Sequence, residues 1–435
     1  MLLTPLQALK SSTMERLAVL LSLLLMVNAC SVNPVTGERE LSLISESEEI
    51  QLGQKNYTPT VQSQGGRYYL EPDLSDYVTS VTMKVAKQSD RPDLPYEVVI
   101  INSNVPNAWA LPGGKMAINR GLLLEMENEA QLAAVMGHEV VHAAARHSAQ
   151  RMQKGMLVNI GLAGVGAVLA ARDNPYAPLI VGGAAIGAQM ALARYSREHE
   201  LESDQYGTRY MAEAGYNPQQ AAELQRIFLR LSEGREDNFV TSLFQTHPPS
   251  RERVEANEQL AAELGRDGRV GEEKYQRMIA GIREKQPAYD LYETALKQHR
   301  EKQGDQALST INQAIEKVPQ EAAFLALRGD IRQQKGESKA ALSDYDRAVN
   351  LYPEMFSYTL GRGLVHRSLN NWPEAEADFK RSIESVPTSI AYLGLGDAAK
   401  AQGRRDEARE YYQVAAQAEG EVGEAARRRL QELGD

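Results

Sequence analysis

A ladder of 34-residue intervals constrains the carboxy-terminal third of this 435-residue chain more than any other feature. Pro319, Pro353 and Pro387 are 34 apart, as are Gly329 and Gly363, and Ala307, Ala341 and Ala375 form a third series. A fixed period of this length describes a helix pair that cannot bury its apolar face alone and must stack on its neighbours. Small residues let the paired helices cross closely, and the prolines end each unit. A further unit around Gly396 and Ala408–Ala416 lacks the proline, as a terminal cap should. Residues 287–435 are therefore expected to form an all-α solenoid. Its concave face suits protein binding and carries no chemistry of its own. Tyr292, Tyr345, Tyr358, Tyr392 and Tyr411 fall at helical-repeat spacing and are expected mainly to pack. The charged, helix-prone residues 252–286 would bridge to what precedes them.

The chemistry is concentrated upstream, in His138-Glu139-Val140-Val141-His142. The surrounding segment is rich in Ala, Glu, Gln and Met without proline, which predicts a helix from Asn128 to Lys154. Histidines four apart share one helix face and can present two imidazole nitrogens to one Zn²⁺. Glu139 beside them can take a proton from the attacking water instead of ligating. A catalytic zinc site wants a third protein ligand. The chain has one cysteine, Cys30, so the candidates are the other histidines and the carboxylates. Glu200 and Asp204 lie four apart on a second expected helix; one can ligate while the other fixes a ligand histidine, and spacing leaves the choice between them open. Glu198 and Glu202 lie about 160° away on that helix, where solvated charge is expected. His147 and His199 are assigned surface or supporting positions, and His299 and His366 lie in the tail.

Cys30 also closes a stretch with the order of an export signal. Lys10 and Arg16 precede the uncharged run Leu17–Val27, followed by Asn28-Ala29-Cys30. At 11 residues the run is too short to span a bilayer, which takes about 20. Val-Asn-Ala-Cys resembles a bacterial lipobox, in which the cysteine is acylated and becomes the first residue of the mature chain. Residues 1–29 are then a removed signal, and Cys30 an anchor to the outer membrane from the periplasmic side. The formal charge of −10 argues against a nucleic-acid partner.

His-Glu-Val-Val-His followed some sixty residues later by Glu200-Leu201-Glu202-Ser203-Asp204 resembles the zinc endopeptidases of metallopeptidase family forty-eight. Asn107-Ala108-Trp109-Ala110-Leu111-Pro112-Gly113-Gly114 and Asn33-Pro34-Val35-Thr36-Gly37 resemble two further motifs of its exported bacterial members. The resemblance covers residues 33 to 255. It implies a single zinc held by His138, His142 and Glu200, with Asp204 in support and Glu139 as general base. In family members with a repeat tail, the histidine of a Thr-His-Pro-Pro segment, here His247, can sit on the zinc as an extra ligand that keeps the enzyme latent; once displaced it could stabilise the oxyanion. The residues themselves make 96–102 a strand and 109–111 a short strand before a Gly-Gly turn. If the second is an edge beside the metal, Asn107, Ala108, Trp109, Ala110 and Leu111 could hold an extended substrate by β-augmentation; otherwise the pair is a core hairpin.

The expected architecture is thus mainly α: an α+β zincin-type domain over 30–286 with a small sheet, then the tetratricopeptide-like solenoid. Two uncharged runs, 155–171 and 175–193, hold seven of the 33 glycines and read as close-packed helices, with a membrane hairpin as the alternative. The expected function is degradation of misfolded or misassembled outer-membrane proteins in the bacterial envelope. The tail would recruit substrate or the barrel-assembly machinery that the resemblance implies. The alternative is a chaperone or adaptor of outer-membrane protein assembly that works through the tail with a latent metal site.

Overall fold

The computed structural model describes residues 30–151, 153, 194–234 and 246–434. The signal segment 1–29 and the runs 155–171 and 175–193 lie outside them. Among the described residues no helix is long and apolar enough to cross a membrane.

The chain opens with a hairpin, β1 (Cys30–Val32) against β2 (Arg39–Leu41), whose turn holds Gly37 at φ 75°. Helix α1 (Glu46–Ser63) starts at a capping box in which Ser45 and Glu48 satisfy each other's backbone donors. Helix α2 (Pro72–Ala86) follows, then a three-stranded sheet of β3 (Glu97–Ile101), β4 (Ala108–Leu111) and β5 (Lys115–Asn119). Its order is β3-β5-β4, with β3 parallel and β4 antiparallel to β5. Among the described residues β4 therefore pairs on one side only, at the sheet's edge. Gly113 makes the β4–β5 turn possible: it sits at φ 72°, and a Cβ there would stand 2.6 Å from the Ile50 Cα.

After the short α3 (Arg120–Glu125) comes α4 (Glu129–Ala144), every residue of which is buried. Such a helix needs its polar ends satisfied from within. Asn128 caps it by accepting from Gln131 N, and the buried Glu129 carboxylate accepts from the Tyr77 and Tyr216 hydroxyls and pairs with Arg269. The helix expected to run unbroken to Lys154 is interrupted at residues 145–146 and resumes over 147–151. Arg146 takes a left-handed conformation (φ 62°), and its guanidinium is held by Glu49, Ser42 and the Ile44 carbonyl. Alanine-rich composition favours continuation, but these partners, about a hundred residues away, pin the turn. Helices α5 (Arg197–Glu213) and α6 (Gln219–Gly234) pack against α4, and α7 (Arg251–Leu264) packs against both of them.

Beyond α8 (Glu272–Met278) the chain becomes paired helices: α9 (Ala280–Arg300) with α10 (Gly304–Lys317), α11 (Ala322–Gln334) with α12 (Ser338–Leu351), α13 (Phe356–Ser368) with α14 (Trp372–Ser385), and α15 (Ser389–Ala401) with α16 (Arg405–Ala415), closed by α17 (Gly420–Leu433). Pro287, where the compositional change begins, lies inside α9. The sequence ladder has a direct packing basis. Pro319, Pro353 and Pro387 each follow the second helix of a pair by two residues, and Ala307, Ala341 and Ala375 are wholly buried at helix crossings. Tyr345 is buried against Gly361, where any Cβ would meet its ring at 2.4 Å, so it packs as expected. The array folds back on the amino-terminal half. Tyr69 OH donates to Gln320 O and accepts from Ala322 N, Tyr352 OH accepts from Arg67 N, and one hydrophobic cluster runs from α2 and the sheet into α13.

Candidate metal centre

The site is built where α4 meets α5. The two helices approach so closely at Gly137 and Gly207 that a Cβ on either would lie 2.7 Å from the other's backbone. This contact brings the His138-His142 face of α4 against the Glu200-Asp204 face of α5, which Ser196 caps by accepting from His199 N. His247 enters from the Thr246–Ser250 loop, stiffened by two prolines.

Four buried groups converge. His138 Nε2 is 3.0 Å from His142 Nε2, 3.5 Å from Glu200 Oε2 and 3.3 Å from His247 Nδ1; His142 Nε2 is 3.4 Å, and His247 Nδ1 2.9 Å, from Glu200 Oε1. Ligand atoms placed tetrahedrally at about 2.0–2.1 Å from one ion would be about 3.3 Å apart, so the set fits a divalent metal. Each of the four residues offers one ligand atom, all within 4.8 Å of one another. Glu139, also buried, has Oε1 3.6 Å from His247 Nε2, and neither Glu139 Oε2 nor His247 Nε2 has a hydrogen-bond partner among the described residues. Orphaned buried polar atoms around one point are what a site shaped for a cation and a water presents.

The field agrees. Burial pushes both imidazoles down, but the Glu200 carboxylate and the Asp204 hydrogen bond raise His138 to about 10, while His142 stays well below its usual range. Burial lifts the Glu139 carboxyl, as a proton acceptor near neutrality requires. Against the same penalty, His247 and Arg253 hold Glu200 well below the carboxylate range.

Residues 72–261 match the model of peptidase family M48. The chain carries an M48 peptidase domain. Residues 294–356 and 360–422, after the peptidase match, match the tetratricopeptide repeat model. The beta-barrel assembly-enhancing protease of Escherichia coli K12 is 26% identical over 227 residues, covering 51% of this chain and 45% of that one. The mitochondrial metalloendopeptidase OMA1 of Schizosaccharomyces pombe is 29% identical over 235 residues, 53% of this chain and 66% of that one. The chain spans about half the length of the bacterial relatives it matches, 45% for three of them. Among solved structures, MamA of Desulfovibrio magneticus RS-1 aligns at 17% identity over 34% of this chain and 82% of that one, with a TM-score of 0.31.

Within the M48 domain, Asp204 Oδ1 lies 2.9 Å from His138 Nδ1. Glu198 is exposed, whereas Glu202, expected to be solvated like it, is half-buried with Oε1 3.2 Å from His147 Nε2. The reason is the turn after α4, which carries a wholly buried His147 to that side of α5. Asn107 through Leu111 are all buried. Asn119 N donates to Asn107 O, so in the alternating ladder Ala108 and Ala110 turn their backbone groups away from β5. On that outer side Ala110 O accepts from Ser148 Oγ (3.1 Å) and Tyr195 OH (3.3 Å). The edge is thus engaged by the protein's own hydroxyls.

Sequence reasoning missed Arg253, 4% exposed on α7. Its Nε donates to Asp204 Oδ2 (2.6 Å), NH2 to Asp204 Oδ1 (2.7 Å) and NH1 to Pro248 O (3.2 Å), and NH1 lies 2.8 Å from Glu200 Oε2. One guanidinium therefore ties the His247 loop to Glu200 and Asp204 of α5. Its only signal in the sequence was its place six residues after His247. Tyr195, stacked on His142 with centroids 3.7 Å apart, was also missed.

Proposed function

We propose that the chain is a zinc endopeptidase of the bacterial cell envelope, with 30–286 as the peptidase domain and 287–435 as the repeat domain. The observation that carries this reading is the convergence of His138, His142, Glu200 and His247 beside the buried Glu139 carboxylate, whose Oε2 has no hydrogen-bond partner among the described residues. His138, His142 and Glu200 would hold one zinc ion, which when bound supplies Lewis acidity toward a peptide carbonyl and an attacking water. Glu139 takes the proton from that water and passes it to the leaving amide nitrogen, a role its raised affinity for a proton suits. Asp204 orients His138 through Nδ1. His247, on the same cluster, acts as a fourth ligand that keeps the centre latent until its loop moves.

Ala108, and Ala110 once the Ser148 and Tyr195 hydroxyls release its carbonyl, are the backbone groups an extended substrate would pair with on β4, with Asn107, Trp109 and Leu111 fixing the strand. Varied unfolded sequences satisfy such main-chain recognition, which favours misfolded or misassembled outer-membrane proteins as substrates. The relatives named for β-barrel assembly and the repeat array support a tail that recruits substrate or the barrel-assembly machinery. Removal of residues 1–29 and acylation of Cys30 would anchor the mature chain to the outer membrane from the periplasm.

Glu139→Gln tests the mechanism. It should retain zinc and fold yet abolish cleavage of an unfolded outer-membrane protein. Unchanged cleavage would sink the peptidase mechanism; no cleavage by either chain, with substrate still captured by the repeats, would favour the adaptor.

A further inference from the structure

The two histidines of α4 are supported differently on the side that faces away from the cluster. His138 Nδ1 meets a carboxylate, Asp204, at 2.9 Å. His142 Nδ1 instead lies 2.8 Å from the Nδ1 of another histidine, His147, which is wholly buried. A neutral imidazole that ligates through Nε2 keeps its proton on Nδ1 and needs an acceptor there. Among the described residues two are within reach, His147 Nδ1 at 2.8 Å and Ser203 Oγ at 3.3 Å, and the shorter contact wins. Accepting at Nδ1 fixes the proton of a neutral His147 on Nε2, which lies 3.2 Å from Glu202 Oε1. The His147 ring is held in plane by stacking on His199, centroids 4.1 Å apart and 10° between planes. The left-handed turn at Arg146 is what brings His147 back beside His142.

We propose that His147 is a positioning residue of the metal centre: its Nδ1 accepts the His142 Nδ1 proton, and Glu202 fixes the required tautomer by accepting from its Nε2. The unit is His142–His147–Glu202, in which an imidazole is interposed between ligand and carboxylate where His138 has the carboxylate alone. The proposal rests on the zinc reading above.

The test is metal binding by the full chain, stripped of metal and titrated with zinc against a chromophoric chelator, and with cobalt to read the visible ligand-field bands. His147→Leu should weaken zinc binding by about 10- to 100-fold and shift the cobalt bands. His147→Asn, whose side-chain oxygen can accept in place of Nδ1, should recover most of the affinity and the wild-type bands. Glu202→Ala, on a half-buried position that any helix tolerates, should weaken binding about three- to tenfold and decides the matter if His147→Leu fails to fold. Wild-type affinity and bands in Glu202→Ala and His147→Leu, or a His147→Asn chain no better than His147→Leu, would overturn the proposal while leaving the zinc reading intact. A wild-type chain that binds no zinc overturns both.

Discussion

Gly207→Ala should loosen the candidate metal centre without replacing any residue in it. A Cβ at position 207 would stand 2.7 Å from His138 N, 2.8 Å from Gly137 C and 3.0 Å from Gly137 O. All three are backbone atoms, so no side-chain rotation relieves the clash. Reaching ordinary contact at 3.4 Å requires α4 and α5 to part by about 0.7 Å at that point. Asp204 and Glu200 ride on α5 within two turns of it. The His138 Nδ1 to Asp204 contact of 2.9 Å would then stretch toward about 3.6 Å, beyond hydrogen-bond range. The Glu200 oxygens would move by several times the roughly 0.2 Å that a metal site tolerates. Overpacking costs about 1–3 kcal/mol, and loss of a charge-assisted hydrogen bond about 1.5–3. The gain in helix propensity returns only about 1. The expected outcome is a destabilisation of about 2–4 kcal/mol in urea unfolding and a zinc affinity at least about tenfold weaker in chelator competition. Gly304→Ala is the control, because a Cβ there meets only the Lys335 side chain at 3.7 Å. Unchanged affinity and stability in Gly207→Ala would refute the claim that this helix crossing sets the site geometry.

Arg253→Met should cost about 3–5 kcal/mol, because it leaves Asp204 and Glu200 buried without their shared cation; an unaltered urea midpoint would contradict this. His247→Ala should raise self-cleavage and cleavage of an unfolded substrate, whereas a fall in both argues against a latch. The repeat array should lose stability in acid through Glu376, which hydrogen bonds from Arg404, Lys380 and Gln402 hold down to about 2 against the upward push of burial. A depressed carboxyl contributes fully above its ordinary value of 4.5 and loses that contribution as pH falls from there toward 2. Thermal unfolding of Glu376→Gln should show a shallower loss over that window than the parent chain.

Periodicity within single elements was enough to see much of this protein. The 34-residue ladder determined the helix pairs, because each proline and small residue acts on its own turn or its immediate neighbour. Spacing of four put His138 with His142, and Glu200 with Asp204, since a helix returns to the same face after 3.6 residues whatever surrounds it. Local rules could not say which faces meet. Glu202 looked solvated because nothing nearby in sequence needed it; its partner His147 is 55 residues away and turns toward it only because Arg146 is pinned by Glu49, 97 residues before. Arg253 joins two carboxylates that precede it by about fifty residues, so no motif within one helix marks it. The edge position of β4 likewise follows from its pairing, among the described residues, with β5 alone, and Tyr195 and Ser148 reach its outer side from flanking segments. The sequence by itself determined the solenoid and which side chains could serve a metal. Tertiary structure decided which are assembled, through close approaches such as Gly137 on Gly207 whose energies depend on contacts between segments far apart in the chain.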